Sequence, residues 1–281
     1  MLTLSFNNIP KIHQKTFIKV PNGLIDLSEN YNSCLNLVYV YLMINRNMLG
    51  KTNTSVSDIQ RDILKTRNQN VVQKRTDQIL ESYYILSNSI TKKDNSVIIN
   101  SLITIEKYEN MFDFGELDFD SLKVSLKKSI DYLKNSPSTK NIKQLRLSIL
   151  PQECEDLSFT KLYLQEYMSL MKFVYNNPKN KNYKITTLLN LYLFIKKQLE
   201  KKDSFRKKFS NKKTSCRIYL DSLINESSLS RDTLKKYLDA LCELNLLKPH
   251  KQLTKIYYTL NFSIENSTLN NSDNNGETFY D

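Results

Sequence analysis

Residues 225–262 read NESSLSRDTLKKYLDALCELNLLKPHKQLTKIYYTLNF. The first six residues are a polar turn, and Ser230 stands where a helix N-cap belongs, since its hydroxyl can accept from a first-turn backbone N–H. In the run that follows, Leu234, Tyr237, Leu238, Leu241 and Leu244 recur at three- and four-residue spacing and form one apolar stripe. Then the period changes. Residues 247–262 hold Pro249, which predicts a loop, followed by a strand bearing Tyr257 and Tyr258. Upstream, Ile185 to Leu199 (ITTLLNLYLFIKKQL) is an apolar helix, and a short helix is expected around Arg217–Ile224. Helix, short helix, turn, helix and wing is the order of a winged helix-turn-helix, whose last helix keeps its outer face free for a DNA groove.

The same order is legible about 150 residues earlier. FIKVPNGLIDL (17–27) predicts a short strand or extended segment, and Cys34 to Met48 a helix ending near Gly50. In SVSDIQRDILK, Ser55 and Asp58 have capping-box spacing, and Ile59, Ile63 and Leu64 share a helical face. TRNQN follows as a turn. A helix over Val71–Ser82 then carries Val72, Thr76, Ile79, Leu80 and Tyr83 on one side, and the β-branched runs of residues 85–105, split by KKDN, predict a hairpin. Between the copies lie an acidic group (Asp113, Glu116, Asp118, Asp120), a helix over Ser121–Asn135, the breaks SPSTKN and Pro151, and the loop NNPKNKN. A further helix, Phe159–Tyr175, is expected to pack on the second domain. The predicted fold is mainly α with small β wings: tandem winged helix-turn-helix domains at 1–110 and 158–262, a helical connector at 111–157 and a disordered acidic tail at 263–281.

Composition narrows the function. The 281 residues carry +12, yet the last twenty hold four acids and no base, which leaves +16 on residues 1–261. Such a chain seeks a polyanion. Four scattered glycines cannot supply a dinucleotide-binding loop. Gly50-Lys51-Thr52 lacks the first glycine of a phosphate-binding loop, since position 45 is Asn, and Asp113-Phe114-Gly115 stands without the other kinase motifs. Cys34, Cys154, Cys216 and Cys242 are far apart, so buried free thiols are expected rather than zinc ligands. The N-terminus lacks a secretory pattern and the longest apolar run is about half a membrane span, which points to a cytoplasmic protein. No cofactor and no metal are expected. The acidic group could hold Mg²⁺ for a nuclease or primase, but Asp118 and Asp120 also suit a helix N-terminus, where negative charge is favoured. The second reading is preferred, with no catalytic residues.

Residues 196–217 hold ten Lys or Arg against Glu200 and Asp203, a local +8, with Phe205 and Phe209 interleaved. Placed between the first two helices of the second domain, Arg206, Lys207, Lys208, Lys212, Lys213 and Arg217 would neutralise phosphates and release counterions. Ser228, Ser230, Arg231, Lys235 and Lys236 in the second copy, and Asn68, Gln69, Asn70, Gln73 and Lys74 in the first, fall at the polar starts of the recognition helices. Asn and Gln can read adenine and Arg can read guanine. The wings, with Lys92, Lys93 and His250-Lys251, would touch phosphates or the minor groove.

FIKVPNGLIDL, followed by NLVYVYLMINRN and a helix-turn-helix, resembles the amino-terminal winged-helix domains of plasmid replication initiators and phage replisome organisers of low-GC Gram-positive bacteria. The resemblance covers about residues 17–105. It implies a sequence-specific double-stranded DNA-binding protein that binds origin repeats of a plasmid or other mobile element and recruits host replication proteins, with a homodimer compatible. A transcriptional or partition regulator on the same fold, and the Mg²⁺-dependent enzyme, are the alternative readings.

Overall fold

The structure, a computed structural model, describes residues 16–28, 33–64, 69–91, 97–105, 116–118, 147–152, 158–180, 182–209 and 217–261. The fold is mainly helical with small sheets, and the chain divides into two units, 1–194 and 195–281.

In the first unit, β1 (Phe17–Pro21) leads into α1 (Asn22–Leu27) and then α2 (Leu35–Ile44). The helix expected to reach Met48 stops at Asn45, whose side chain donates to the Tyr41 carbonyl at 2.8 Å. Asn36, the polar residue inside the apolar run, is fully buried. Its Nδ2 donates to Ser28 Oγ (3.0 Å) and to Asn190 Oδ1 (3.1 Å), and Asn190 Nδ2 donates to the Ser33 carbonyl (2.9 Å). Such buried amides cost stability unless paired, so these bonds fix the neighbours of α2 specifically. β2 (Thr52–Thr54) precedes α3 (Val56–Ile59), which continues as a wide turn over Gln60–Leu64. The capping box is present: Ser55 Oγ accepts from the Asp58 amide (3.1 Å), and the Ser55 amide donates to Asp58 Oδ2 (3.0 Å). Gln60 Nε2 then donates to buried Thr76 Oγ1 (2.7 Å) on α4 (Gln69–Ser87).

α4 starts earlier and runs further than Val71–Ser82, so Gln69 and Asn70 are helical rather than part of a turn, and residues 85–87 are helix rather than strand. β3 (Ser89–Thr91) and β4 (Val97–Ile99) do form an antiparallel pair, but β5 (Ile103–Ile105) leaves it for another sheet. There β7 (Leu147–Pro151) lies between β2 and β5, antiparallel to both. Residues 147–151 are thus part of the first unit's sheet rather than of a helical connector. β6 (Glu116–Asp118) runs parallel to β3. Asp118 is therefore a strand residue and not part of a helix start, whereas Asp113, Asp120, the helix of 121–135 and the tail from 262 lie outside the described residues.

Phe159–Tyr163, expected to begin a helix, is instead strand β8, paired with β1 from Phe17↔Tyr163 to Pro21↔Phe159. FTKLY alternates with period two, burying Thr160 and Leu162 and exposing Lys161, and that period wins over the helical pattern that follows. α5 (Leu164–Asn176) packs within the first unit: the Tyr175 hydroxyl donates to the Ile63 carbonyl. Glu166 of α5 accepts from the Tyr163 amide (3.0 Å) and from the Tyr192 hydroxyl (2.6 Å). A second domain starting at 158 is thereby moved to the α6 region, since β8 and α5 belong to the first unit.

α6 (Ile185–Phe209) extends ten residues past the predicted end. Lys, Glu, Gln and Arg are good helix formers, so the basic stretch continues the helix instead of breaking it. In the second unit, β9 (Ile218–Tyr219) precedes α7 (Leu220–Glu226) and α8 (Arg231–Glu243). Ser230 caps α8 as expected, its Oγ accepting from the Thr233 amide (3.4 Å). At the far end Asn245 takes a left-handed conformation (φ 56°), while the Leu246 amide bonds to the Leu241 carbonyl and the Asn245 amide to the Cys242 carbonyl. This six-to-one, five-to-two pair closes the helix and turns the chain. The hairpin β10 (Leu247–Gln252) and β11 (Lys255–Leu260) follows, and β9 pairs with the outer side of β11. Pro249, expected in a loop, lies in β10. That strand is at the sheet edge, where a residue without an N–H is tolerated.

Burial raises several acids. The Cys34 thiol is pushed from its ordinary value near 9 to about 11, mainly by burial, and Cys242 likewise to about 11. Tyr41 and Tyr258 rise from 10 to about 12 for the same reason. The folded state holds these protons more tightly than the unfolded chain, so their contribution is fully present below pH 9 and is lost as pH rises through about 11 to 12. The urea midpoint is therefore expected to be flat between about pH 7 and 8.5 and to fall progressively above about pH 9.

Candidate nucleic-acid interface

The second unit presents two surfaces built by α8 and by the three-stranded sheet. On α8, Leu234, Tyr237, Leu238, Ala240 and Leu241 are buried, which leaves Arg231, Lys235, Asp239 and Glu243 exposed at four-residue spacing. The stripe changes sign along its length: its first half is basic and its second half acidic. Only the N-terminal half suits a phosphate-lined groove, and there the helix dipole adds positive character. Ser228, before the cap, is exposed, as is Ser230 itself; Lys236 is half-buried, with its ammonium over the Tyr237 ring (5.9 Å).

The sheet is built by period-two alternation. Ile218 and Tyr258 pair across β9 and β11 and face the core, so Tyr219 and Tyr257, also directly opposed, face outward. His250 is opposite Tyr257 on the other side. The result is a ring row: Tyr219 meets Tyr257 edge-on at 5.8 Å, and His250 stacks on Tyr257 at 4.9 Å with 9° between planes. The Arg217 guanidinium lies over Tyr257 at 4.7 Å, and its Nη1 donates to Gln252 Oε1 at 3.4 Å. His250 Nε2 is hydrogen-bonded to Thr259 Oγ1 at 3.1 Å. A guanidinium held over a ring loses less freedom when it takes a phosphate, and the contact itself contributes about 0.5–1 kcal/mol at such exposure. Lys248, Lys251 and Lys255 are exposed on the same hairpin.

Of the residues singled out by sequence, Arg217 and Lys251 are thus brought onto one sheet, and Ser228, Ser230, Arg231 and Lys235 onto the start of one helix. Gln69, Asn70, Gln73 and Lys74 occupy the first turns of α4, and Arg206, Lys207 and Lys208 the last turns of α6, where the backbone alone is described. Asn68, Lys92, Lys93, Lys212 and Lys213 lie outside the described residues. Within the basic stretch Lys196 is buried and Lys197 half-buried, so its first residues do not offer their charge to solvent in full. Tyr219, Gln252, Lys248 and Lys255 are not among the interface residues expected from sequence, and Tyr257 is expected only as a strand residue. The signal was available in the alternation Lys255, Tyr257, Thr259, once β10 is allowed to run through Pro249.

Among the described residues, no helix is long and apolar enough to cross a membrane. No protein-family profile, no curated protein and no solved structure matches the chain.

Proposed function

We propose that the chain is a sequence-specific duplex-DNA-binding protein that uses two winged helix-turn-helix domains, with its biological role in replication initiation on a plasmid or other mobile element. The observation that carries the DNA reading is the second unit. Its helix, strand, short helix, helix, hairpin order, with β9 closing on β11, offers a capped helix with a basic first half beside a hairpin bearing three exposed lysines. In this reading α8 enters the major groove by its N-terminal turns, Arg231 and Lys235 reach base edges or phosphates, and Arg217 and the hairpin lysines hold the backbone. α4 plays the corresponding part in the first unit. The role in replication rests on the resemblance of residues 17–105 to initiator domains.

The test has two parts. The full chain, presented with a random-sequence duplex pool, should enrich one motif over successive rounds. The coding sequence with its flanking DNA should then maintain a plasmid that lacks its own origin. Enrichment without plasmid maintenance would leave a DNA-binding protein of another role, and failure to enrich any motif would remove sequence specificity.

A further inference from the structure

The β10–β11 hairpin closes through only two residues, Leu253 and Thr254, since Gln252 pairs with Lys255. Leu253 has φ 54°. Two-residue hairpins that need a positive φ at this position ordinarily use Gly, Asn or Asp, because a side chain there crowds the backbone. Leucine is therefore an unfavourable choice for the backbone. It is also an unfavourable choice for solvation: Leu253 is 90% exposed, at the tip of the hairpin. Nothing in the unit's own packing accounts for a strained, solvated leucine at this point. The chain around it is strongly one-signed, with Lys248, Lys251, Lys255 and His250 between Leu244 and Asn261 and no acid at all. Ile256, 37% exposed, lies on β11 one residue past the turn's closing pair.

We infer that Leu253 is a wedge: the hairpin enters the minor groove of duplex DNA, its lysines take the flanking phosphates, and Leu253 inserts at a base step and kinks the duplex. An apolar tip carried by a basic two-stranded arm is chemically matched to that site. Lysine neutralises the strand on either side, and the partly unstacked step offers the leucine an apolar surface that water does not. Flexible pyrimidine–purine steps, TA above all, open with least cost and would be the preferred points of insertion. The inference rests on the duplex-binding reading above and adds to it a deformation of the DNA.

The experiment uses the full chain and a roughly 30-base-pair duplex enriched from the random pool, carrying a donor and an acceptor at its ends. Wild type should raise energy transfer on binding, as the ends approach. Leu253→Asn, which suits the left-handed conformation, and Leu253→Gly, which removes the strain altogether, should bind with reduced affinity and lose the rise. Their thermal midpoints should equal or exceed that of wild type, so a loss of bending would not come from unfolding. Equal bending by both variants would overturn the wedge while leaving duplex binding in place. Retention of no duplex by wild type would overturn the binding reading and the wedge with it. Sedimentation of wild type, but not of Leu253→Asn, with vesicles of phosphatidylglycerol and phosphatidylcholine, alongside unaltered DNA bending, would overturn it in favour of a lipid surface.

Discussion

Leu238→Ala is expected to destabilise the second unit by about 2–5 kcal/mol, the range for truncating a fully buried leucine in a packed core. Leu238 is 0% exposed, in the middle of α8, flanked along the helix by buried Leu234 and Leu241. Removing three carbons there forfeits their transfer from water and leaves a cavity that the neighbouring turns cannot close, because the helix is fixed at both ends. The Ser230 cap holds its start, and the left-handed Asn245 with its paired amides holds its end. For a unit of this size the loss amounts to a thermal shift of roughly 10 °C or more. Asp239→Ala, one residue on but exposed, should shift the midpoint little. Differential scanning calorimetry of the full chain checks both. If Leu238→Ala leaves the second unit's transition in place, α8 does not pack by this face, and the side assigned to DNA is wrong as well.

Arg231→Ala should have the largest single-residue effect on recognition: about 1–3 kcal/mol, or one to two orders of magnitude in dissociation constant for the enriched duplex. Arg231 is the first residue of α8, exposed, immediately after the cap, and in the proposed docking such a residue reaches the groove floor. Affinity for unrelated duplex should fall far less, since one phosphate contact is a small part of the sequence-independent attraction. Glu243→Gln, at the other end of the same stripe, should change neither. Competition anisotropy with enriched and scrambled duplexes separates these outcomes. Equal losses on both duplexes would make Arg231 a phosphate contact only, and no loss on either would place α8 outside the interface.

How much of this was legible in the sequence depends on how local the cause is. The start and buried face of α8 could be read: its stripe repeats at helical spacing over three turns and Ser230 marks its start, whereas its end at Glu243, short of the Leu247 that the pattern suggests, is set by the left-handed Asn245. The Ser55–Asp58 box was legible for the same reason, since both partners lie within four residues. β7 was not. Its partners β2 and β5 lie roughly a hundred and roughly fifty residues away, and LSILP read alone carries no sign of either. β8 was hidden because FTKLY runs directly into the amphipathic pattern of α5, so two periods meet without punctuation. β10 was hidden by Pro249, which breaks a central strand but not an edge one. That omission concealed the sheet face too. Without β10 there is no reason to set His250 beside Tyr257, or Gln252 within reach of Arg217. The extension of α6 to Phe209 was masked by charge: a run of Lys and Arg reads as a solvated loop when only its polarity is weighed, yet those side chains favour helix.

The measurement that bears most directly on duplex binding is the salt dependence of affinity for a labelled duplex, for wild type and for an Arg206→Gln, Lys207→Gln, Lys208→Gln variant. Wild type should show log affinity falling linearly with log salt at a slope steeper than about −4, and the variant a slope shallower by about 2–3, near 0.9 for each phosphate contact removed. Binding that is absent at low salt, or that does not weaken as salt rises, would contradict the account.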